Sequence, residues 1–176
     1  MSTITVLVDH LAFLRGRTLG LLERIEKEPD AIAALGFRPG PGRAHIAWQL
    51  MHIGITEEIF ATERLQPEKP RAFEDLWARF RGGSTPDDHI STAAEIRRVL
   101  SESREHLIET LKGFNDDQLG HIPEAFKERG LTLRDVLHIL AFHEAHHQGQ
   151  AQIGRRSFGH RNIHELIPEL SFELML

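Results

Sequence analysis

Apolar residues recur at steps of three and four along four long stretches of the chain, which is the spacing of the buried stripe of an amphipathic α-helix. These stretches span residues 4–28, 43–66, 92–113 and 132 to about 155 or 156. We find no alternating strand pattern, no two-residue hairpin signal and no internal repeat in the sequence. The pattern therefore predicts an all-α protein built on four long helices.

Helix boundaries are marked by residues that stop or cap a helix. Pro29 and Pro67 follow the first and second stretches, and proline cannot continue a helix because it lacks the backbone donor. Thr92 and Glu95 form a capping-box pattern at the start of the third. Thr132 is suited to cap the fourth helix. We expect that helix to end at Arg155 or Arg156, because cations at a helix C-terminus interact favourably with the helix dipole.

The segments between the helices are long and of unequal length. Residues 36–42 are rich in Gly and Pro and predict a loop, whereas 67–90 predicts a short helix or turn packed on the bundle, and 115–130 a further helical turn. Linkers of about 14 and 24 residues are long enough to cross a bundle. We expect residues 1–176 to form a single all-α four-helix bundle domain. A short helical C-terminal tail, 157–176, is expected to pack on the bundle or on a partner chain.

The composition narrows the classes of function. Of 176 residues, 40% are hydrophobic and 27% charged, as in ordinary soluble globular proteins. The net charge of −5 and the scattered basic residues argue against nucleic acid as a partner. Without Cys, any metal site must use nitrogen and oxygen ligands. We find neither a signal peptide nor a membrane span, and therefore expect a cytoplasmic protein with no membrane partner.

Histidine is the unusual feature, present twelve times while Tyr is absent. His143 and His147 lie four residues apart on the apolar stripe of the fourth helix, so both imidazoles can reach one metal ion. His52 lies on the apolar stripe of the second helix, between Trp48 and Ile55. We expect these three histidines to bind one divalent transition metal ion. Because all three ligands are imidazoles, the ligand type does not decide among Zn, Ni, Fe, Cu and Mn.

Two other histidines are alternative ligands. His45 returns to the face of His52 after seven residues, but it lies beside Gly42 at the helix start, where we expect exposure. His146 points about 100° away from His143. The competing interpretation of each inward histidine is a core residue satisfied by hydrogen bonds.

The string from His143 to His147 also satisfies the H-E-x-x-H pattern of zinc proteases, with Glu144 as the general base. The extended form of that pattern fails, because Gln150 and Ile153 stand where Gly and His are required. No strand is predicted that would hold a peptide. A metallopeptidase is therefore the weakest alternative, and we expect Glu144 to face solvent or to support the ligands.

The motifs Trp48-Gln-Leu-Met-His52, followed by two glutamates, and His143-x-x-x-His147-Gln-Gly-Gln150 resemble the DinB-like family of metalloenzymes. The resemblance covers most of the chain up to about residue 156. It implies a four-helix bundle with a three-histidine site for nickel, zinc or iron, and commonly a homodimer. The family includes thiol-dependent transferases and isomerases.

The residues and the resemblance together lead to a functional hypothesis. We expect a metal-dependent hydrolase or thiol transferase acting on a small molecule, with water or substrate at an open metal position. Polar residues near the ligands are expected to orient the imidazoles; they are Glu57, Glu58, Gln148 and Gln150. The alternative is a non-catalytic helical module for metal binding or dimerisation.

Overall fold

The first long helix begins where the sequence pattern places it. The computed structural model describes residues 2–166, in which α1 spans Thr3–Glu26. The Ser2 hydroxyl accepts a hydrogen bond from the Thr5 amide at 3.3 Å. The carboxylate of Asp116 accepts two more, from the amides of Thr3 and Ile4 at 2.8 and 2.9 Å. A distant segment therefore supplies acceptors for donors that the first turn leaves unpaired.

The second long helix is shorter at its start than predicted and changes its pitch at its end. A short helix that the sequence did not predict, α2 (Ala31–Gly36), precedes it, and α3 spans Ile46–Ile59. α3 continues directly into a π-helical turn over Phe60–Leu65. The helix begins at residue 46 because His45 caps it, with Nδ1 accepting a hydrogen bond from the Trp48 amide at 3.0 Å.

The remaining helices follow the predicted capping residues. α4 (Glu74–Phe80) lies in the predicted linker, and α5 spans Ala93–Leu111 behind a complete capping box of Thr92 and Glu95. Two 3₁₀ turns, Asp116–Gly120 and Glu124–Arg129, precede α6, which spans Leu133–Leu166.

The predicted end of the last helix is wrong. We placed it at Arg155 or Arg156, but the helix continues to Leu166. Arg155 lies within it and forms an ion pair with Glu28 at 2.6 Å. The arginine therefore pairs with a carboxylate that follows α1 rather than with the carbonyl groups at the end of its own helix. Residues 157–166 extend α6, and the rest of the predicted tail, 167–176, lies outside the described residues.

Each of the helices α1 and α3 packs against both of the other two long helices, α5 and α6. Gly54 permits the approach of α3 to α5, because a Cβ atom there would lie 2.7 Å from Val99 Cγ1. The all-α class is confirmed: the described residues form helices, turns and loops without a strand. None of the described helices is long and apolar enough to cross a membrane.

Candidate metal centre

Three predicted ligands come together between α3 and α6. His52 projects from α3, and His143 and His147 project from successive turns of α6. One nitrogen from each of these residues, the histidine triad, lies within 4.8 Å of the other two. The Nε2 atoms of His52 and His143 are 3.0 Å apart. Helical spacing thus brings the three imidazoles together as the sequence predicted.

The ring of His52 is held from two sides. Its Nδ1 donates a hydrogen bond to the carbonyl oxygen of Phe80 at 2.5 Å, at the end of α4. The indole of Trp48 stacks on the imidazole, with ring centroids 4.6 Å apart and planes inclined by 17°. Trp48 in turn donates its indole N–H to the Arg79 carbonyl at 3.0 Å. These contacts leave Nε2 of His52 directed at the other two histidines.

His147 is held by a residue that sequence reasoning missed. Its Nδ1 lies 2.5 Å from Oε1 of Gln49, so Nδ1–H donates and Nε2 keeps its lone pair. Gln49 lies three residues before His52, which is the spacing that puts both on one face of α3. That spacing was the available signal. The Phe80 carbonyl, by contrast, belongs to the backbone and carries no sequence signal.

The environment favours neutral imidazoles. Burial lowers the pKa of His143 to about 3, and the charges of His52 and His147 add to the effect. Burial, with a smaller contribution from His52, lowers the pKa of His147 to about 4. The pKa of His52 is also lowered by burial. Neutral imidazole is the form that binds a metal ion.

The geometry of the triad fits an ion of the size of Zn²⁺. Nitrogen ligands at 2.0–2.1 Å in a tetrahedral arrangement are separated by about 3.3 Å. The nitrogens of His52 and His143 are 3.0 Å apart, and all three lie within 4.8 Å. Metal-bound histidines usually donate their second N–H to a carbonyl or carboxylate, and His52 and His147 already donate to oxygen atoms. The residues therefore suit a metal ion with one position left for a further ligand.

The two alternative histidines do not join the triad. His45 is only 1% exposed, contrary to the expectation, because it caps α3 and its Nε2 lies 3.1 Å from the Asp87 carbonyl. Both ring nitrogens are thereby engaged. His146 is exposed, and its Nε2 lies 3.0 Å from the Gln150 amide nitrogen. His45 is thus a structural residue of the loop, and His146 lies on the surface of α6.

Of the residues expected to orient the imidazoles, the two glutamates have other partners. Glu57 pairs with Arg15 at 2.7 Å, and Glu58 bonds to His106 at 2.8 Å. Gln150 contacts the exposed His146 and also forms a side-chain hydrogen bond with His147, which raises the pKa of His147 against the effect of burial. Gln148 forms no hydrogen bond to the triad among the described residues. Glu57 and Glu58 thus contact other residues, and Gln150 is the one of the four that contacts the triad. Their acidic or amide character marked polar positions without showing which way they point.

Glu144 neither faces solvent nor supports the metal ligands. It is 1% exposed and lies in a buried charge cluster formed by Arg15, Glu57, Arg104 and Glu144. Its Oε1 accepts hydrogen bonds from Arg15 Nε at 2.8 Å and from the Thr18 hydroxyl at 2.7 Å. Burial alone would raise the pKa of Glu144, but Arg15 and Arg104 outweigh it and lower the pKa. This carboxylate is not available as the base of a metallopeptidase.

A cavity of about 300 Å³ opens onto the triad. The π-helical turn and the end of α4 form its walls with α6. The residues that line it besides the triad are mainly apolar or cationic: Thr56, Ile59, Phe60, Arg64, Arg81, Gly82, Ile139 and Leu140. A small molecule can therefore reach the position between the three imidazoles.

Fold and site together define an all-helical protein with a three-histidine cluster suited to a metal ion. The chain belongs to the DinB superfamily, whose characteristic sequence it matches over residues 5–151. A crystal structure of a conserved protein from Enterococcus faecalis has the same fold, with a TM-score of 0.65 and 18% identity. That similarity covers 89% of this chain and 96% of the other. No curated protein matches this chain.

Proposed function

We propose that this protein binds one divalent transition metal ion through His52, His143 and His147 and acts as a metal-dependent hydrolase or thiol transferase on a small molecule. Zinc, nickel and iron are the candidate metals. The convergence of the three nitrogens within 4.8 Å carries the proposal. A metal ion with three imidazole ligands supplies a Lewis acid and lowers the pKa of a bound water or thiol.

The chain's own residues would prepare that site. Phe80 and Gln49 hold the tautomers of His52 and His147, so that Nε2 is the atom free to bind. The apolar wall formed by Ile59, Phe60 and Leu140 excludes water from one side of the cavity. A small substrate would therefore be bound in a partly dry environment, where electrostatic interactions are stronger than in bulk water.

Metal content tests the proposal. The untagged protein is loaded with Zn²⁺, Ni²⁺ or Fe²⁺, dialysed and analysed for metal per chain. We expect about one ion per chain in the wild type, and none in His52→Ala or in the double variant His143→Ala, His147→Ala. His146→Ala is the matched control, because it removes an exposed imidazole from the same helix and should bind metal as the wild type does.

The outcomes separate binding from catalysis. If the wild type takes up none of the three metals, the proposal is wrong. If metal binds but hydrolase and thiol-transfer substrates are not turned over, the non-catalytic alternative is favoured. Retention of full metal content in the double variant would show that other residues bind the ion.

The alternative function is that of a metal-binding or dimerising helical module, and one observation favours a homodimer. Large apolar side chains are exposed on the outer surfaces of α1 and α6: Phe13 is 65% exposed, Phe142 72% and Ile153 63%. Exposed apolar patches often mark interfaces. Sedimentation equilibrium of the wild type and of Phe142→Glu tests this, with a dimer expected only in the wild type.

A further inference from the structure

Two arginines line the cavity of the triad, and no carboxylate is among the described residues that line it with them. Arg64 comes from the π-helical turn, and Arg81 follows the end of α4. Neither guanidinium forms an ion pair with a described residue, and no Asp or Glu is among the described residues that line this cavity. Because the whole chain carries a net charge of −5, the positive charge here is local.

The π-helical turn determines which charge reaches the cavity. In an uninterrupted α-helix, the residue eleven positions after His52 would return to its face within about 20°. That residue is Glu63. A π turn has a wider hydrogen-bonded ring and so shifts the following residues by about one position. Arg64 lines the cavity as a result, and Glu63 lines a neighbouring one. An acidic residue is thereby replaced by a basic one.

Arg64 is held in place without using its hydrogen-bond donors. Its guanidinium carbon lies 4.6 Å from the ring centroid of Phe60 and 5.8 Å from that of Phe126. Contact through the face of the guanidinium leaves the N–H groups at its edge free for a ligand. Burial lowers the pKa of Arg64 below its usual value; the charge of Glu63 opposes this, and the charges of Arg129 and Arg81 add to it. Glu63 therefore offsets only part of the effect, and Arg64 keeps a net positive surrounding inside the cavity.

We infer that the substrate of this site carries a terminal oxyanion, such as a carboxylate or phosphate, which Arg64 and Arg81 bind while its reacting group lies at the histidine triad. The inference rests on the proposed function and names its substrate class. Arginine matches planar oxyanions with paired N–H donors. A cavity of about 300 Å³ is at the lower end of the range for ligand sites, so the molecule is small.

Matched thiol probes test the inference. Mercaptopropionate and mercaptoethanesulfonate carry an oxyanion, whereas mercaptopropanol has a similar chain without the charge. Co²⁺-loaded protein is titrated with each, and thiolate binding is followed by the sulfur-to-cobalt charge-transfer absorbance. We expect the anionic probes to bind at least about tenfold more tightly than the alcohol, the difference that a charge-assisted hydrogen bond supplies.

Variants assign that preference to the two arginines. We expect Arg64→Gln and Arg81→Gln each to reduce it and the double variant to abolish it, with the affinity for mercaptopropanol unchanged. Arg134→Gln is the matched control, because it removes an exposed charge outside the cavity. Cobalt content is measured for every variant. Because Arg81 is exposed, Arg81→Gln tests the inference even if Arg64→Gln does not fold.

Failure of this inference differs from failure of the proposed function. Normal cobalt binding with equal affinity for acid and alcohol would overturn the inference alone. No binding of cobalt, zinc, nickel or iron would overturn the proposed function. The Nε–H resonances of Arg64 and Arg81 in the metal-free protein would then decide: shifts with mercaptopropionate but not with mercaptopropanol support an oxyanion site, and no shift overturns it.

Discussion

Glu144→Ala should be one of the most destabilising single substitutions in this protein. Glu144 and Glu57 are the two carboxylates of the buried charge cluster, and Arg15 and Arg104 are its two guanidinium groups. Without Glu144, two arginines that are 4% and 5% exposed face a single carboxylate. One positive charge then remains buried without compensation, and the Thr18 hydroxyl loses its carboxylate acceptor.

The expected magnitude follows from the burial of the cluster. Removing one partner of a buried ion pair costs about 3–5 kcal/mol, because the remaining charge keeps its desolvation penalty. For a protein of this size, each kcal/mol changes the melting temperature by about 2–4 °C, so the melting temperature should fall by roughly 6–20 °C.

Urea unfolding of the metal-free protein at pH 7 measures this cost apart from any effect on the metal. Glu124→Ala is the control, because Glu124 is exposed and pairs only with Lys127 on the surface. It should change the free energy of unfolding by no more than about 0.5 kcal/mol. A loss below about 1 kcal/mol for Glu144→Ala would refute the reasoning. Apolar replacement of all four cluster residues should be far less damaging than the single change.

Three further predictions concern the site and its helices. The metal-free protein should lose stability as pH falls from about 6.5 toward 4, because burial lowers the pKa of His143 to about 3 and of His147 to about 4, so unfolded chains take up protons first. Urea unfolding at pH 7 and pH 5 measures this loss of stability. The double variant His143→Gln, His147→Gln should show a smaller loss. Gln49→Leu should weaken metal binding about 10- to 100-fold in a chelator competition, whereas Gln152→Leu, on α6 and paired with the exposed Arg24, should not. Gly54→Ala should cost about 1–3 kcal/mol of unfolding free energy, because α3 and α5 leave no room for a methyl group; an unchanged urea midpoint would contradict it.

Helical periodicity predicted the triad because all three histidines lie on apolar stripes. The i, i+4 spacing puts His143 and His147 on one face of α6, and this can be predicted without knowing how the rest of the chain folds. The position of His52 needs only that α3 presents its stripe to α6. His45 shows the limit of this reasoning: it shares the face of His52, yet its ring folds back to cap the helix. A side chain at a helix terminus can bond to the backbone instead of following the stripe.

Glu144 could not be assigned from the sequence for a different reason. It follows Leu140 by four residues and Leu137 by seven, so it lies on a buried face of α6, where a charged residue is normally not found without a partner. Its burial depends on Arg15 and Arg104, which are far away in the sequence and come from α1 and α5. Periodicity shows which face of a helix is apolar. It does not show which charges from distant helices meet a polar residue on that face.

The buried charge cluster and the histidine triad are joined through α6. Because His143 and Glu144 are adjacent, a rotation of the helix that moved one would move the other. Glu144 bonds to Arg15 on α1 and to Arg104 on α5, while His143 points toward His52 on α3. The ion pairs therefore fix the rotation of α6 about its axis, and that rotation sets the direction of the triad. Within the H-E-x-x-H string, the glutamate therefore orients the helix that carries the ligands, and its carboxylate is bound to two arginines instead of facing the metal site as in a peptidase.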